Sequence, residues 1–202
     1  MFNLFETNTD DIQFLINNAG KDVLINDIAK KALITNPGLY DFEDRHISTL
    51  DKLSRGDLVT YDNEKYLVIT ESISKRGGKY KALMRHCNNI VQIPGETKQV
   101  PKLDENGNPV YDRFGDPVYI TIQTDPTNVP AIVDNKSFSI DSNYAIRVPE
   151  NQIVVTLQDN ELNNRKIKVN FVFTMMGKKW KVVNVDLTKN GLMILTCEFT
   201  AS

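Results

Sequence analysis

The sequence predicts a mainly β protein: a small β-barrel with a short N-terminal helix, a long extended hairpin or arm as an insertion, and a second β-unit resembling the first. Three observations predict it. Short β-branched and aromatic runs are separated by turn residues, notably Asp62-Asn63-Glu64, Gly77-Gly78, Gly177 and Lys189-Asn190-Gly191. Residues 56–87 and 170–197 repeat one pattern, with the aromatic pair Tyr66/Trp180 offset by 114 residues and Cys87/Cys197 by 110. Between the two copies, Pro94 to Pro149 holds seven of the eight prolines. The expected organisation is therefore 1–93 (helix plus barrel unit), 94–149 (Pro-rich insertion) and 150–202 (second β-unit).

From Thr9 to Gly20 the chain has an N-cap residue, early acids and a closing glycine, with Ile12, Leu15 and Ile16 on one face, so it reads as a short helix. Asp22–Asn26 and Lys31–Thr35 are apolar runs around an Asn-Asp turn, a β-hairpin able to supply the edges that the first β-unit lacks. Residues 41–51 are polar and short, and read as a segment carrying the chain across the surface before Gly56. Two- or three-stranded units are marginal in water, so each copy should close into a barrel with flanking strands or pair with the other. The likeness of the copies reads either as a duplication or as the shared turn chemistry of any two hairpins.

Inside the insertion, Asp104–Tyr111 is followed at once by Asp112–Tyr119, an eight-residue repeat of the form D-x-x-G-x-P-V-Y. Glycine supplies a positive φ and proline removes a pairing N–H, so each repeat encodes a reversal. A solvated tether has no need of Tyr111, Phe114, Tyr119, Ile120 and Ile122, and these are the expected contacts of an arm with a partner or a neighbouring subunit.

Lys+Arg 24 against Asp+Glu 26 gives a net charge of −2, so the chain has no bulk basic field for nucleic acid phosphates. The balance is uneven: residues 94–150 carry nine acids and five bases, and residues 151–202 four acids and seven bases. Neighbouring subunits could complement each other in that way. The N-terminus lacks a signal-peptide layout and no apolar run reaches the length of a membrane span. Cys87 and Cys197 read as core thiols in a reducing cytoplasm, since no His-Cys cluster accompanies them.

Catalysis finds little support. His46 and His86 are the two near-neutral bases, and His86 and Cys87, adjacent on a strand, point to opposite faces. Asp104, Asn106 and Asn108 alternate like the start of a calcium loop, but the later ligands are missing and Pro109 intrudes, so turn formation explains them. No phosphate loop or cofactor motif is present, and the expectation is no enzyme and no cofactor. Lys75, Arg76 and Lys79 form a basic hairpin tip that could touch phosphate or a partner.

The run Gly56–Ile69, followed by a basic loop and a strand ending in Arg85-His86-Cys87-Asn88, resembles the small β-barrel of head–tail connector proteins of long-tailed bacteriophages, in particular the head-closure or stopper proteins. The resemblance covers residues 21–93 closely and 150–202 loosely, and the insertion departs from the smallest members. It implies a dodecameric or hexameric homo-oligomer ring in the virion neck, assembled in the host cytoplasm, with portal or adaptor and tail proteins as partners. Genomic DNA would pass through the channel without sequence-specific binding, and no membrane is involved. In such a ring, Asp104, Glu105, Asp112 and Asp116 could face the channel and repel the duplex, while Tyr111 to Ile122 suit a clasp on a neighbour's sheet. A tail-tip or baseplate module binding host glycan or adjoining tail proteins is the alternative, and a hydrolase built on His46 or His86 a third class.

Overall fold

Three pairs of residues turn the chain with both members at positive φ: Asn26-Asp27 (48° and 65°), Asp62-Asn63 (53° and 63°) and Met176-Gly177 (52° and 69°). Each is a two-residue hairpin turn whose twist matches that of the strands it joins, and Asn, Asp and Gly tolerate that backbone at the least cost. The computed structural model describes residues 9–38, 42–75, 78–135 and 152–200. Helix α1 (Thr9–Ala19) is followed by β1 (Lys21–Ile25), β2 (Ile28–Thr35), β3 (Asp44–Thr49), β4 (Leu58–Tyr61), β5 (Glu64–Val68), β6 (Ile73–Lys75) and β7 (Lys79–His86). Then come β8 (Asn89–Ile93), β9 (Thr97–Pro101), β10 (Tyr119–Gln123), β11 (Thr127–Asn135), β12 (Gln152–Gln158), α2 (Glu161–Lys166), β13 (Val172–Met175), β14 (Lys178–Asp186) and β15 (Leu192–Phe199).

The first seven strands make a barrel. β3, β2, β1, β4, β5 and β7 pair in that order, and β7 pairs back onto β3, so six strands close a ring. β6 extends the ring's edge beside the start of β7. Because β4 lies next to β1, the strand order 4-1-2-3 is a Greek key. The hairpin β1–β2 thus supplies the edges that the β4–β5–β7 meander lacks, as the sequence implied. Inward residues alternate along the strands: Val23 and Ile25, Ala32, Ile47, Val59, Tyr66 and Val68, Ala82 and Met84, with Leu53 from the β3–β4 connection added to the same cluster. Burying each large aliphatic side chain here contributes roughly 1.5–3 kcal/mol.

One expectation fails. The segment 41–51 does not merely cross the surface: Asp44–Thr49 is β3, a wall of the barrel, with Ile47 fully buried between β2 and β7. Its polar outward residues hid it. Asp44 is held by the Arg85 guanidinium at 2.8 and 3.1 Å across the β3–β7 pair, and Phe42 lies 3.8 Å beneath the same guanidinium.

The second sheet runs β13-β14-β15-β12-β11-β8. Strand for strand it repeats the first, with β8, β11, β12, β13, β14 and β15 standing for β1, β2, β3, β4, β5 and β7. The likeness that the sequence shows over three strands therefore extends to six. The registers match too: Tyr66 lies opposite Val59 as Trp180 lies opposite Phe173. The cysteines do not correspond, however. Met84 opposite Val68 takes the place that Cys197 holds opposite Val182, and Cys87 lies one residue beyond the end of β7. The copies differ in closure: β1 pairs with β4, whereas among the described residues β8 and β13 do not pair. They differ also at one turn. Where the first copy uses Asn26-Asp27, the second inserts everything between β8 and β11.

The chain forms two compact units, Met1–Val91 with Pro130–Ser202, and Gln92–Val129. The insertion read as 94–149 is thus a smaller unit, because Pro130–Asn135 continues strand β11; residues 136–151 lie outside the described residues. Similarly, the second sheet takes β8 from the segment assigned to the N-terminal unit.

Within the larger unit the two barrels meet along a seam. Leu67, Ile132 and Leu192 are buried together, with Leu58, Ile69, Cys87 and Ile194 packed against them. Gly56 and Gly191 touch backbone to backbone: a Cβ on Gly56 would lie 1.9 Å from the Gly191 carbonyl oxygen, and one on Gly191 1.9 Å from that of Arg55. Arg55 Nε donates to the Asn190 carbonyl at 2.9 Å. Asn88 clasps Val133 through both backbone groups, donating at 3.0 Å and accepting at 2.8 Å.

A polar cluster lies where β5 and β7 meet the chain before β3. The hydroxyl of buried Tyr66 lies 2.9 Å from the carboxylates of both Glu43 and Glu64, to which it can donate. Arg45 donates to Glu43 at 2.8 Å, and the His86 ring sits 5.3 Å from that of Tyr66. Burial and the two carboxylates push the Tyr66 phenol far above its ordinary range. The hydrogen bond from Arg45, then that from Tyr66, hold the Glu43 carboxyl below its ordinary value.

Gly191→Ala should lower stability by about 2–4 kcal/mol, since it adds a left-handed penalty to a backbone clash. Gly177→Ala, at a similar φ but with nothing within 4 Å of the new Cβ, should cost about 1 kcal/mol. Urea unfolding of both variants checks this, and equal losses would deny the seam its role. Tyr66→Phe should cost about 1–2 kcal/mol. Because Glu43 titrates lower in the folded than in the unfolded chain, its contribution is present above the ordinary value of 4.5 and is lost as pH falls through the folded value. Glu43→Gln should flatten that acid limb in melts recorded from pH 6 to pH 3 (about the carboxylate range).

Candidate interaction surface

Residues 92–129 form a two-stranded ribbon, β9 against β10, with the two D-x-x-G-x-P-V-Y repeats at its tip. Each repeat folds through its leading aspartate. Asp104 Oδ1 accepts the backbone N–H groups of Asn106 and Asn108 at 2.9 and 2.8 Å, and Asp112 Oδ1 those of Phe114 and Asp116 at 2.8 and 3.0 Å. Gly107 and Gly115, at φ 81° and 88°, complete the reversals and donate to the carbonyls of Asp104 and Asp112. Three backbone bonds then tie the loops in a cycle: Val110 N–H to the Lys102 carbonyl, Val118 to Val110, and Lys102 to Val118, at 2.7–2.8 Å. The repeats thus build two stacked loops from local chemistry, which is the turn role expected of these acids.

This tip has almost no core. Val100, Val110 and Val118 are half-buried, while Leu103, Tyr111, Phe114, Tyr119, Ile120 and Ile122 are all exposed, Phe114 by 76%. Register puts Ile120 and Ile122 on the face with Val100 and Lys98, and Tyr119 on the other with Pro101. The Arg113 guanidinium lies 4.8 Å from the Phe114 ring. A ribbon exposing apolar groups on both faces gains its main burial only against a partner.

The four acids divide. Asp104 and Asp112 cap the loops, and backbone N–H groups, that of Asn108 foremost, hold the Asp104 carboxyl below its ordinary range. Glu105 and Asp116 are exposed. Of the basic hairpin tip, Arg76 and the Lys75 side chain lie outside the described residues; Lys75 pairs with Lys79 in the β6–β7 register. Lys79 lines a groove of about 430 Å³ with His46, Ile73, Lys81, Ala82 and Leu83.

The two histidines sit in different surroundings among the described residues. His46 lines that groove with Lys79 and Lys81 among the described residues, and His86 faces Tyr66 and two carboxylates while Cys87 faces the seam. Burial pushes both the Cys87 and the Cys197 thiols up to about 12, the Lys65 charge pulling Cys87 back slightly, so both are protonated and poorly nucleophilic near neutrality. Among the described residues no group of three His, Cys, Asp or Glu side chains could hold a metal ion, and no helix is long and apolar enough to cross a membrane.

Two clusters escaped the sequence reading. The Glu43–Tyr66–His86 group joins three elements and has no local pattern. The other was legible: between Glu161 and Asp186 the chain has six basic residues and no acid, and Lys179 and Lys181 stand on the outer face of β14 opposite Thr174 and Val172 of β13.

Residues 3–86 match the YomX N-terminal domain and residues 90–198 the YomX C-terminal domain, so the boundary between the two matches falls between β7 and β8, the last strand of one barrel and the first of the next. The "SPbeta prophage-derived uncharacterized protein YomX" of Bacillus subtilis (strain 168) is 24% identical over 169 residues, 83% of this chain and 74% of the relative. Among solved structures, the K. pneumonia MrkH–c-di-GMP complex is 11% identical and covers 97% of this chain and 87% of its own, at a TM-score of 0.20. A second structure of MrkH, a c-di-GMP-dependent transcription regulatory factor, is 11% identical and covers 96% of this chain and 84% of its own, also at a TM-score of 0.20. Matched from residue 3 to residue 198 by the two domains, with a prophage-derived relative that supports a phage origin, the chain belongs to the YomX family.

Proposed function

We propose that this protein is a structural component of the phage virion, without catalytic activity or cofactor. In this reading it forms a hexameric or dodecameric ring in the neck, between portal or adaptor and tail. There it joins head to tail and helps close or line the DNA channel. The observation that carries the reading is the ribbon of residues 92–129, whose exposed Tyr111, Phe114, Tyr119, Ile120 and Ile122 lack a core of their own. Two barrels of one topology joined by a buried apolar seam suit a rigid building block, and an arm that orders against a neighbour suits assembly. The clasp is preferred to a channel plug because two of the four acids are already engaged in capping the loops. Genomic DNA would pass without sequence-specific contacts, and the protein would reach the virion from the host cytoplasm.

Exposed Tyr111 and Phe114, on the same tip as exposed Glu105 and Asp116, also suit a glycan-binding tail-tip or baseplate module, since sugars stack on aromatics and bond carboxylates. The solution mass of the purified chain, alone and with tailless capsids, separates the readings. Binding to capsids with ring formation is expected; a chain that ignores capsids would favour the tail tip. Limited proteolysis adds a second measure. The ribbon should be cleaved in the free chain and protected in the virion, and equal protection in both would count against the clasp.

A further inference from the structure

The second barrel repeats the first but lacks its closing pair. β13, the counterpart of β4, is an edge strand among the described residues, whereas β4 is held by β1 through Leu24–Thr60 and Ile25–Val59. The two-residue turn Met176-Gly177 makes Met175–Lys178 and Phe173–Trp180 the hydrogen-bonded pairs. Val172 and Thr174 then present their backbone N–H and C=O groups on the open edge. The outer face behind that edge carries Val172, Thr174, Lys179 and Lys181. Among the described residues no ion pair engages Lys168, Lys178, Lys179 or Lys181, although Glu198 of β15 stands opposite Lys181 in register and accepts from Gln152 at 2.6 Å.

The ribbon is its chemical complement. Residues 103–118 hold four acids and one base, against six bases and no acid in residues 162–185. β10 is itself an edge strand: Val118 bonds Lys102 and Thr124 bonds Glu96, at the two flanks of β9, so Tyr119, Thr121 and Gln123 turn their backbone groups outward. Each surface offers an open strand edge, exposed apolar groups and an excess of one charge, negative at the ribbon tip and positive beside β13, and both belong to the same chain.

We propose that the ribbon of one copy docks on the β13–β14 edge of a second copy, with Glu105 and Asp116 of the first against Lys179 and Lys181 of the second. This rests on the self-assembling neck reading above and names its contact. Strand addition supplies backbone bonds, the aromatics supply buried area, and charge sets which edge is accepted. Donor and acceptor are different surfaces, so the contact is head-to-tail and closes into a ring where the rotation permits.

The test is a charge exchange on the full chain, read by sedimentation velocity. Glu105→Lys with Asp116→Lys, and separately Lys179→Glu with Lys181→Glu, should each weaken self-association by about tenfold or more. An equimolar mixture of the two variants should associate again, through the native ribbon that one retains and the native lysine edge that the other retains as well as through the swapped pair. All four positions are surface charges that neither cap a loop nor face a core, and thermal melts confirm folding. Association unchanged by either reversal, or a wild-type chain that stays monomeric at every concentration, overturns the docking, while capsid binding by the wild type still decides the neck reading. Duplex DNA is the second probe. Retention of DNA lost in the lysine variant, with self-association intact, assigns the basic face to nucleic acid and overturns the inference.

Discussion

The contact between Gly56 and Gly191 fixes much of the larger unit. Two main chains that approach so closely admit no Cβ, and each glycine takes a left-handed φ, 91° and 86°. Gly56 leads into β4 and Gly191 into β15, so the start of a strand in each barrel is set against the other. Asn26 reinforces the arrangement from the side. Its amide oxygen accepts Leu58 N–H at 2.9 Å and Gln158 Nε2 at 3.0 Å, and its amide nitrogen donates to Asp57 at 2.8 Å. One turn residue thereby ties β1, β4 and β12, and the apolar seam of Leu67, Ile132 and Leu192 is buried.

Local chemistry made much of this legible. Positive-φ turns name their own residues, so the hairpins β1–β2, β4–β5 and β13–β14 could be read from Asn-Asp, Asp-Asn and Met-Gly steps between alternating strands. The tip loops were legible too, because aspartate capping and glycine reversal act within a few residues. β3 was missed because its one inward bulk residue, Ile47, is enough beside Ala32 and Ala82, while Asp44 and His46 face outward. The false match of Cys87 with Cys197 arose from sequence spacing alone; register, which depends on partner strands, assigns Cys197 to the place of Met84. The Tyr66 cluster and the glycine contact join residues remote in sequence, and nothing local announces them. Of the candidate site, the exposed aromatics were anticipated from their excess over what a tether needs, and the lysine face was not.

Among the described residues one barrel closes and the other does not, which gives the two halves different chemical characters. An open strand edge invites indiscriminate pairing, and lysines beside it restrain strands that bring no opposite charge. The same lysines admit an acidic ribbon. Under the proposed docking, a hazard common to β proteins becomes a selective one, with the acids of the tip acting as the token of the correct partner.

The insertion between β8 and β11 also bears on the order of folding. The first barrel is built from residues 21–86 without interruption, so it can be completed as soon as that stretch leaves the ribosome. The second cannot: β8 must wait for β11, and then for β15, with a whole ribbon made in between. Its β8–β11 pairing closes over 33 intervening residues where β1–β2 closes over two, and forms more slowly. The finished first barrel, with Leu67 and Gly56 already in place, is then a template on which the late strands β11 and β15 settle.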